Sequence, residues 1–241
     1  MSEGIAERIE AVRWRMAAAC ERAGRDPAGV ALVAVSKGFG PEEVAAAAAC
    51  GVEVFGENRV QEAAQKIPLC PGRLEWHMVG HLQRNKARPA VGLFRAIHAV
   101  DSWRLLEALN AACEEAGCSR LPVLLEVNVA GESSKFGLAP GEVAEVVERS
   151  AQLARLEVRG LMTIPPFRPD PEEARPFFRR LRELRDACRE RTGAPLDDLS
   201  MGMSADLEVA IEEGATWVRV GTAIFGARTR KQWSASEGGD E

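Results

Sequence analysis

Among 241 residues there is no tyrosine, only three histidines, and an aromatic content of 5%. With no phenol in the chain, acid–base chemistry would have to come from other groups. The six cysteines, Cys20, Cys50, Cys70, Cys113, Cys118 and Cys188, form no CxxC pair. The ligand spacing of a zinc site is therefore missing, and scattered cysteines among apolar residues fit buried free thiols in a reducing compartment. No apolar run approaches the ~20 residues of a membrane-spanning helix. The opening MSEGIAERIEAVRWRM is amphipathic, carries three glutamates and has no apolar core, the pattern of neither a signal nor a transit peptide. A cytoplasmic location is expected. The net charge of −5 leaves no electrostatic footprint for nucleic acid.

What the chain does have is the composition of a folded domain: 46% hydrophobic and 28% charged residues, which excludes disorder. A compact chain of this length buries roughly 70–75% of its unfolded surface, so it needs no disulfide or structural metal. Ile5, Ile9, Val12 and Met16 form one stripe of a first helix, over residues 2–23. The run VALVAVSK at 30–37 is continuous and apolar, as in a strand buried on both faces of a parallel sheet. Pro41 opens a helix that Gly51 closes. Strands are then predicted at 52–55, 75–79, 95–100, 122–129, 156–163, 199–203 and 216–221. Helices are predicted at 57–66, 83–91 (broken by Pro89), 102–117, 140–153, 171–191 and 204–213.

About eight strands alternating with helices predict an α/β fold, a single closed (β/α)8 TIM barrel over 1–229. The last strand lacks a full helix after it, and the N-terminal helix is expected to fill that place. The alternative is an open doubly wound sheet, but its Gly-rich dinucleotide turn is absent: the turn after the first strand reads SKGFGPEE. The polar tail at 230–241 reads as a mobile segment.

In such barrels functional groups sit at the C-terminal ends of the strands. Lys37, directly after the first apolar run, is either solvated at the rim or an amine inside the barrel mouth, where partial burial frees its lone pair. Ser204 is either a plain helix N-cap or a hydroxyl beside free backbone N–H groups that suit phosphate. Gly221 and Thr222 add close backbone approach and a second hydroxyl, and loops after strands seven and eight often build phosphate sites. Arg219 stands between Val218 and Val220. If the valines face the helices, Arg219 points into the barrel and needs a buried carboxylate or a ligand. An amine, a phosphate cradle and a buried guanidinium together match pyridoxal 5′-phosphate (PLP). His77 and His81 have no third metal ligand nearby and read as structural or rim histidines. Lys135 reads as an ordinary loop lysine, or as a second amine if its loop folds over the mouth.

The motifs AVSK (34–37), FGENRVQE (55–62), WHMVGHLQRNK (76–86), LSMGMSADLE (199–208) and VRVGTAIFGAR (218–228) cover nearly the whole chain. Together they resemble the pyridoxal phosphate homeostasis proteins of the YggS/PROSC type, relatives of the alanine racemase N-terminal domain. The resemblance implies a fold-type III PLP-binding barrel in which Lys37 holds PLP as a Schiff base and Arg219 faces the pyridine nitrogen. It implies that Ser204, Gly221 and Thr222 hold the phosphate and that Asn58 lies near the cofactor. It implies a cytoplasmic, monomeric protein of vitamin B6 homeostasis without established turnover, with PLP-dependent apo-enzymes as candidate partners and no membrane or nucleic-acid partner. Two places depart from the family pattern. Arg59 replaces a frequent tyrosine, and Gly38-Phe39-Gly40 replaces a polar, Pro-containing stretch, which bears on the flexibility of the loop beside Lys37.

An amino-acid racemase, or another fold-type III PLP enzyme, is the rival reading. Racemisation needs acid–base groups on both faces of the substrate. In alanine racemase the second face is served by a tyrosine from the partner's second domain, and this chain has neither tyrosine nor second domain. A phosphosugar barrel without PLP would account for the phosphate loops but not for Lys37 with Arg219.

Overall fold

The computed structural model describes residues 4–70, 72–132, 135–227 and 233. Its helices and strands alternate from the first strand to the last. The chain begins with α1 (Ile5–Arg22), followed by β1 (Ala31–Val35), α2 (Pro41–Ala49), β2 (Val54–Glu57), α3 (Val60–Lys66) and β3 (Glu75–Met78). It continues with α4 (Ala87–Leu93), β4 (Ala96–Val100), α5 (Trp103–Glu115), β5 (Leu121–Glu126), α6 (Val143–Ser150) and β6 (Leu156–Met162). The last third holds α7 (Arg175–Thr192), β7 (Asp198–Ser200), α8 (Leu207–Glu212), β8 (Trp217–Val220) and α9 (Thr222–Phe225). The strands pair in chain order, all parallel, and β8 closes onto β1 through Val33 opposite Arg219. The expected (β/α)8 barrel is the fold found. No described helix is long and apolar enough to cross a membrane.

Alternation along each strand separates two cores. Ala34, Phe55, Ile97, Val123, Leu125, Leu161, Leu199, Val218 and Val220 belong to the large buried layer that the helices cover. Val33, Val35 and Val79 form a separate small cluster, as do Ala99, Leu124 and Met162. A Cβ on Gly56 would come within 2.9 Å of Val33 and 3.2 Å of Val79, so the inner face has little room left there. Val54 and Trp217 pack against the first of these clusters, and polar side chains, His77, His98, Ser200 and Arg219, share the interior with them, which is unusual for a packed barrel lumen.

The one-turn α9 cannot cover β8 alone. α1 packs against α8, α9 and α2 and so fills that gap, as the sequence suggests. Its buried stripe is Ile9, Val12, Ala19 and Cys20.

Several boundaries differ from those predicted. Pro89 does not break α4; it sits in the first helical turn, where its missing N–H has no partner to lose. Glu57 closes β2 instead of opening α3. Helix α7 starts at Arg175, after a 3-10 turn over Pro171–Ala174. Helix α8 starts at Leu207 with Asp206 at its N-cap, so Ser204 is not the cap. Gly202, at φ +91, swings the chain away from β7, and a turn intervenes before helical bonding begins. All six cysteines are free; Cys20, Cys113 and Cys188 are buried and the other three partly so. The tail read as mobile lies outside the described residues except for Trp233, whose N–H donates to the Gly38 carbonyl at 3.3 Å.

Candidate functional site

β1 ends at Val35, and Lys37 follows in a tight turn closed by Phe39 N–H donating to the Ser36 carbonyl at 3.0 Å. Lys37 is partly buried. Both of its neighbours are tied down. Glu57 Oε1 accepts from Ser36 Oγ at 2.6 Å and from Lys66 Nζ at 2.6 Å. Lys66 Nζ also donates to the Ser36 carbonyl at 2.9 Å and to Glu62 Oε1 at 2.8 Å. Glu62 Oε1 in turn accepts from Gly38 N–H at 2.6 Å. Gly38 has φ +77, a conformation that a side chain disfavours. The glycines of 38–40 therefore do not leave this loop loose.

Lys66 and Glu57 are both fully buried. Burial pushes the Glu57 carboxyl above its ordinary value, against the opposing pull of Lys66. Its second oxygen has no hydrogen-bond partner among the described residues. The sequence carries no mark of this cluster. Lys66 looks there like an ordinary basic residue in a last helical turn, and Glu57 like a first-turn acid.

Arg219 points into the barrel, as its flanking valines predict. Its Nη1 donates to Ser200 Oγ at 2.6 Å and its Nη2 to the Thr163 carbonyl at 3.0 Å. Burial lowers its pKa to about 10, partly offset by the fields of Glu126 and Asp206. Glu126, near the top of β5, is itself pushed up to about 7 by burial, with Asp101 adding to the rise and Arg219 opposing it.

The loops after β7 and β8 are joined directly, since Ala223 N–H donates to Ser204 Oγ at 3.1 Å. Arg15 of α1 steadies the first loop. It donates to the Ser204 carbonyl at 2.9 Å while gripping Glu208 with two further bonds of 2.6 and 2.7 Å. Gly221 lies against the end of β1, where a Cβ would sit 3.2 Å from the Val35 carbonyl oxygen. Phe39 stacks on Phe225 at 5.2 Å and ties the Lys37 loop to α9. Thr222 is exposed and Gly221 partly buried.

Asn58 follows β2, and its backbone fits against Gly80 so closely that a Cβ there would come within 2.8 Å. A cavity of about 540 Å3 opens beside Asn58, Gly80 and His81. Lys37, Asn58, Ser204, Arg219, Gly221 and Thr222 thus stand on or just after β1, β2, β7 and β8, which are consecutive around the barrel.

His77 and His81 diverge. His77 is buried inside the barrel against His98, and His81 pairs with Asp101 at 3.0 Å and stacks on Phe136. Lys135 approaches Glu132 at 3.6 Å and lines a cavity of about 180 Å3 with Glu126 and Phe136.

A parallel barrel that gathers an amine, a buried guanidinium and two hydroxyl-bearing loops on neighbouring strand ends has the build of a barrel for an anionic cofactor. The chain belongs to the family of the alanine racemase N-terminal domain, which it matches over residues 8–229, and stands within it among proteins named pyridoxal phosphate homeostasis protein. The relative of that name from Pseudomonas aeruginosa is 46% identical over 225 residues, 93% of this chain and 96% of that one. PipY of Synechococcus elongatus, solved without PLP, is 38% identical with a TM-score of 0.83 over 92% of this chain and 100% of that one. Its structure with PLP bound gives 37% and 0.80 over the same shares.

Proposed function

We propose that this protein binds PLP in vitamin B6 homeostasis inside the cell, with Lys37 as the amine that takes up the cofactor's aldehyde, and that it works as a binding protein and not as an enzyme. One observation carries the reading. Six residues expected to meet PLP lie on or just after four consecutive strands, in a chain whose relatives bear the name of PLP homeostasis proteins.

The donor set suits the cofactor. PLP supplies an aldehyde that condenses with an amine, a ring that draws electrons and a dianionic phosphate. Lys37 provides the amine, and the Glu57–Lys66–Glu62 cluster holds its chain neighbours Ser36 and Gly38. Arg219 presents a buried cation, and Ser204, Gly221 and Thr222 offer a hydroxyl, close backbone approach and a second hydroxyl. Asn58 follows β2, the strand next to β1.

Phosphate capture has a direct test. Losing one charge-assisted hydrogen bond costs about 1.5–3 kcal/mol, so Thr222→Val should weaken PLP binding by about tenfold to a hundredfold. Pyridoxal, lacking the phosphate, should bind poorly to the unaltered protein. Equal affinity for pyridoxal and PLP would contradict the cradle.

The absence of turnover follows from what faces the substrate. No tyrosine exists in the chain to serve the second face. A guanidinium beside the ring nitrogen disfavours its protonation and so weakens the pull on charge developing at Cα. In deuterated water the PLP-loaded protein should exchange the Cα proton of L-alanine no faster than free PLP. Faster exchange that disappears in Lys37→Ala would show an enzyme.

A further inference from the structure

Beneath Arg219, side chains from three strands touch in series. Ser200 Oγ on β7, already 2.6 Å from Arg219 Nη1, lies 2.8 Å from His98 Nδ1 on β4. His98 Nε2 lies 3.0 Å from His77 Nδ1 on β3, and His77 Nε2 lies 2.9 Å from Glu75 Oε1 at the start of the same strand. Ser200, His98 and His77 are buried. Both rings pack edge-on against Trp217, at 5.1 and 5.8 Å. Glu75, by contrast, is 48% exposed and helps to wall a cavity of about 510 Å3 together with Arg95 and Arg159.

Chemistry fixes the direction of this series from the Glu75 end. A guanidinium can only donate, so Ser200 Oγ accepts from Arg219 and keeps its own proton and one lone pair to offer His98 Nδ1. A carboxylate can only accept, so His77 carries its proton on Nε2. With His77 Nδ1 accepting, a neutral His98 holds its proton on Nε2 and donates it to His77 Nδ1, and its own Nδ1 accepts from Ser200. Every donor and acceptor on the path is then used. In the reverse arrangement His98 would donate into an oxygen already accepting from Arg219. The buried Ser200 hydroxyl proton would then have no acceptor on this path. Burial, together with His77 and Arg219, holds the His98 pKa well below its ordinary value, in keeping with a neutral ring.

We propose that Glu75, His77, His98 and Ser200 are positioning residues: they form one hydrogen-bond chain of fixed direction through the barrel, which holds the Arg219 guanidinium as a full cation with its remaining N–H groups free for the cofactor ring. The inference rests on the PLP reading above. Bonds aligned head to tail polarise one another, so the chain extends the reach of the Glu75 carboxylate toward a cation it does not touch. Glu126 and Asp206 also attract Arg219, and the Thr163 carbonyl holds its other arm.

His77, His81 and His98 are the only histidines, so the chain can be read directly. In 15N-labelled full-length protein without PLP, ring spectra at neutral pH should show a protonated Nε2 and a bare Nδ1 on both His77 and His98. His81→Gln removes the third set of signals and completes the assignment. A proton on His98 Nδ1, or a mixture of tautomers, would overturn the proposed direction. With PLP, Glu75→Leu should weaken binding roughly threefold to tenfold, the effect of about one hydrogen bond, and shift the visible absorption band. Glu75→Gln, whose amide oxygen still accepts, should restore both. Ser200→Ala cuts the chain beside Arg219 and gives the same two readings should the leucine variant fail to fold. Unchanged affinity and spectrum in these variants would overturn the positioning role. If the unaltered protein takes up no PLP, the reading beneath the inference falls, while the tautomers measured without PLP still decide the chain.

Discussion

Lys66→Met is expected to destabilise the protein by about 3–5 kcal/mol at neutral pH, the usual result of removing one partner from a buried ion pair. Lys66 and Glu57 are both fully buried, and Lys66 also bonds Glu62 and the Ser36 carbonyl. Without the ammonium, Glu57 keeps the burial that already raises its pKa and loses the lysine that opposes the rise. A raised carboxyl pKa means that the folded state holds its proton to higher pH than the unfolded chain does. Its penalty therefore grows as pH rises through and above the ordinary carboxylate range, and fades below it. The gap between variant and parent should be widest at pH 7 and shrink toward pH 4. Denaturant unfolding at the two pH values measures it. A loss under about 1 kcal/mol at pH 7 would show that the cluster is not the brace described. Glu57→Gln combined with Lys66→Met should recover much of the loss, because a neutral replacement of both partners leaves no stranded charge.

Lys37→Ala should have the opposite profile, with the chemistry lost and the fold kept. The residue is partly buried in a turn whose neighbouring residues are held by backbone bonds and by the Glu57–Lys66–Glu62 cluster. Stability should change by no more than about 1 kcal/mol, as for a substitution outside the packed core. The visible absorption of the PLP-loaded protein should vanish, since no amine remains at that strand end to take up the aldehyde. Weak uptake through the phosphate loops would remain as ordinary reversible binding. Persistence of the visible band in Lys37→Ala would show that another lysine carries the cofactor.

The contrast between these two lysines shows what could be read in the chain and what could not. Strand β1 was legible because Val33, Ala34 and Val35 form an unbroken apolar run, as a strand covered on both faces must. The inward turn of Arg219 was legible because Val218 and Val220 claim the helix side. Lys66 was not, because its partner Glu57 is joined to it only when β2 and α3 fold together, and FGEN has too few apolar residues to mark a strand end. His98 lay hidden in the buried run AIHAV, 21 residues from His77, and the two meet only inside a closed barrel. Spacing along the chain sets His77 beside His81, but His77 lies inside the barrel against His98, while His81 follows β3 and pairs with Asp101. The sequence groups Ser204 with Gly221 and Thr222 for its hydroxyl. That hydroxyl does meet the β8 loop, at Ala223 N–H, but from a turn ahead of α8 and not from its cap.

The central claim, that Lys37 is the amine that holds PLP, is tested most directly by borohydride. Protein loaded with PLP is reduced, digested and mapped by mass spectrometry. The account predicts the pyridoxyl group on Lys37; a label found chiefly on Lys66, Lys86 or Lys135 would contradict it.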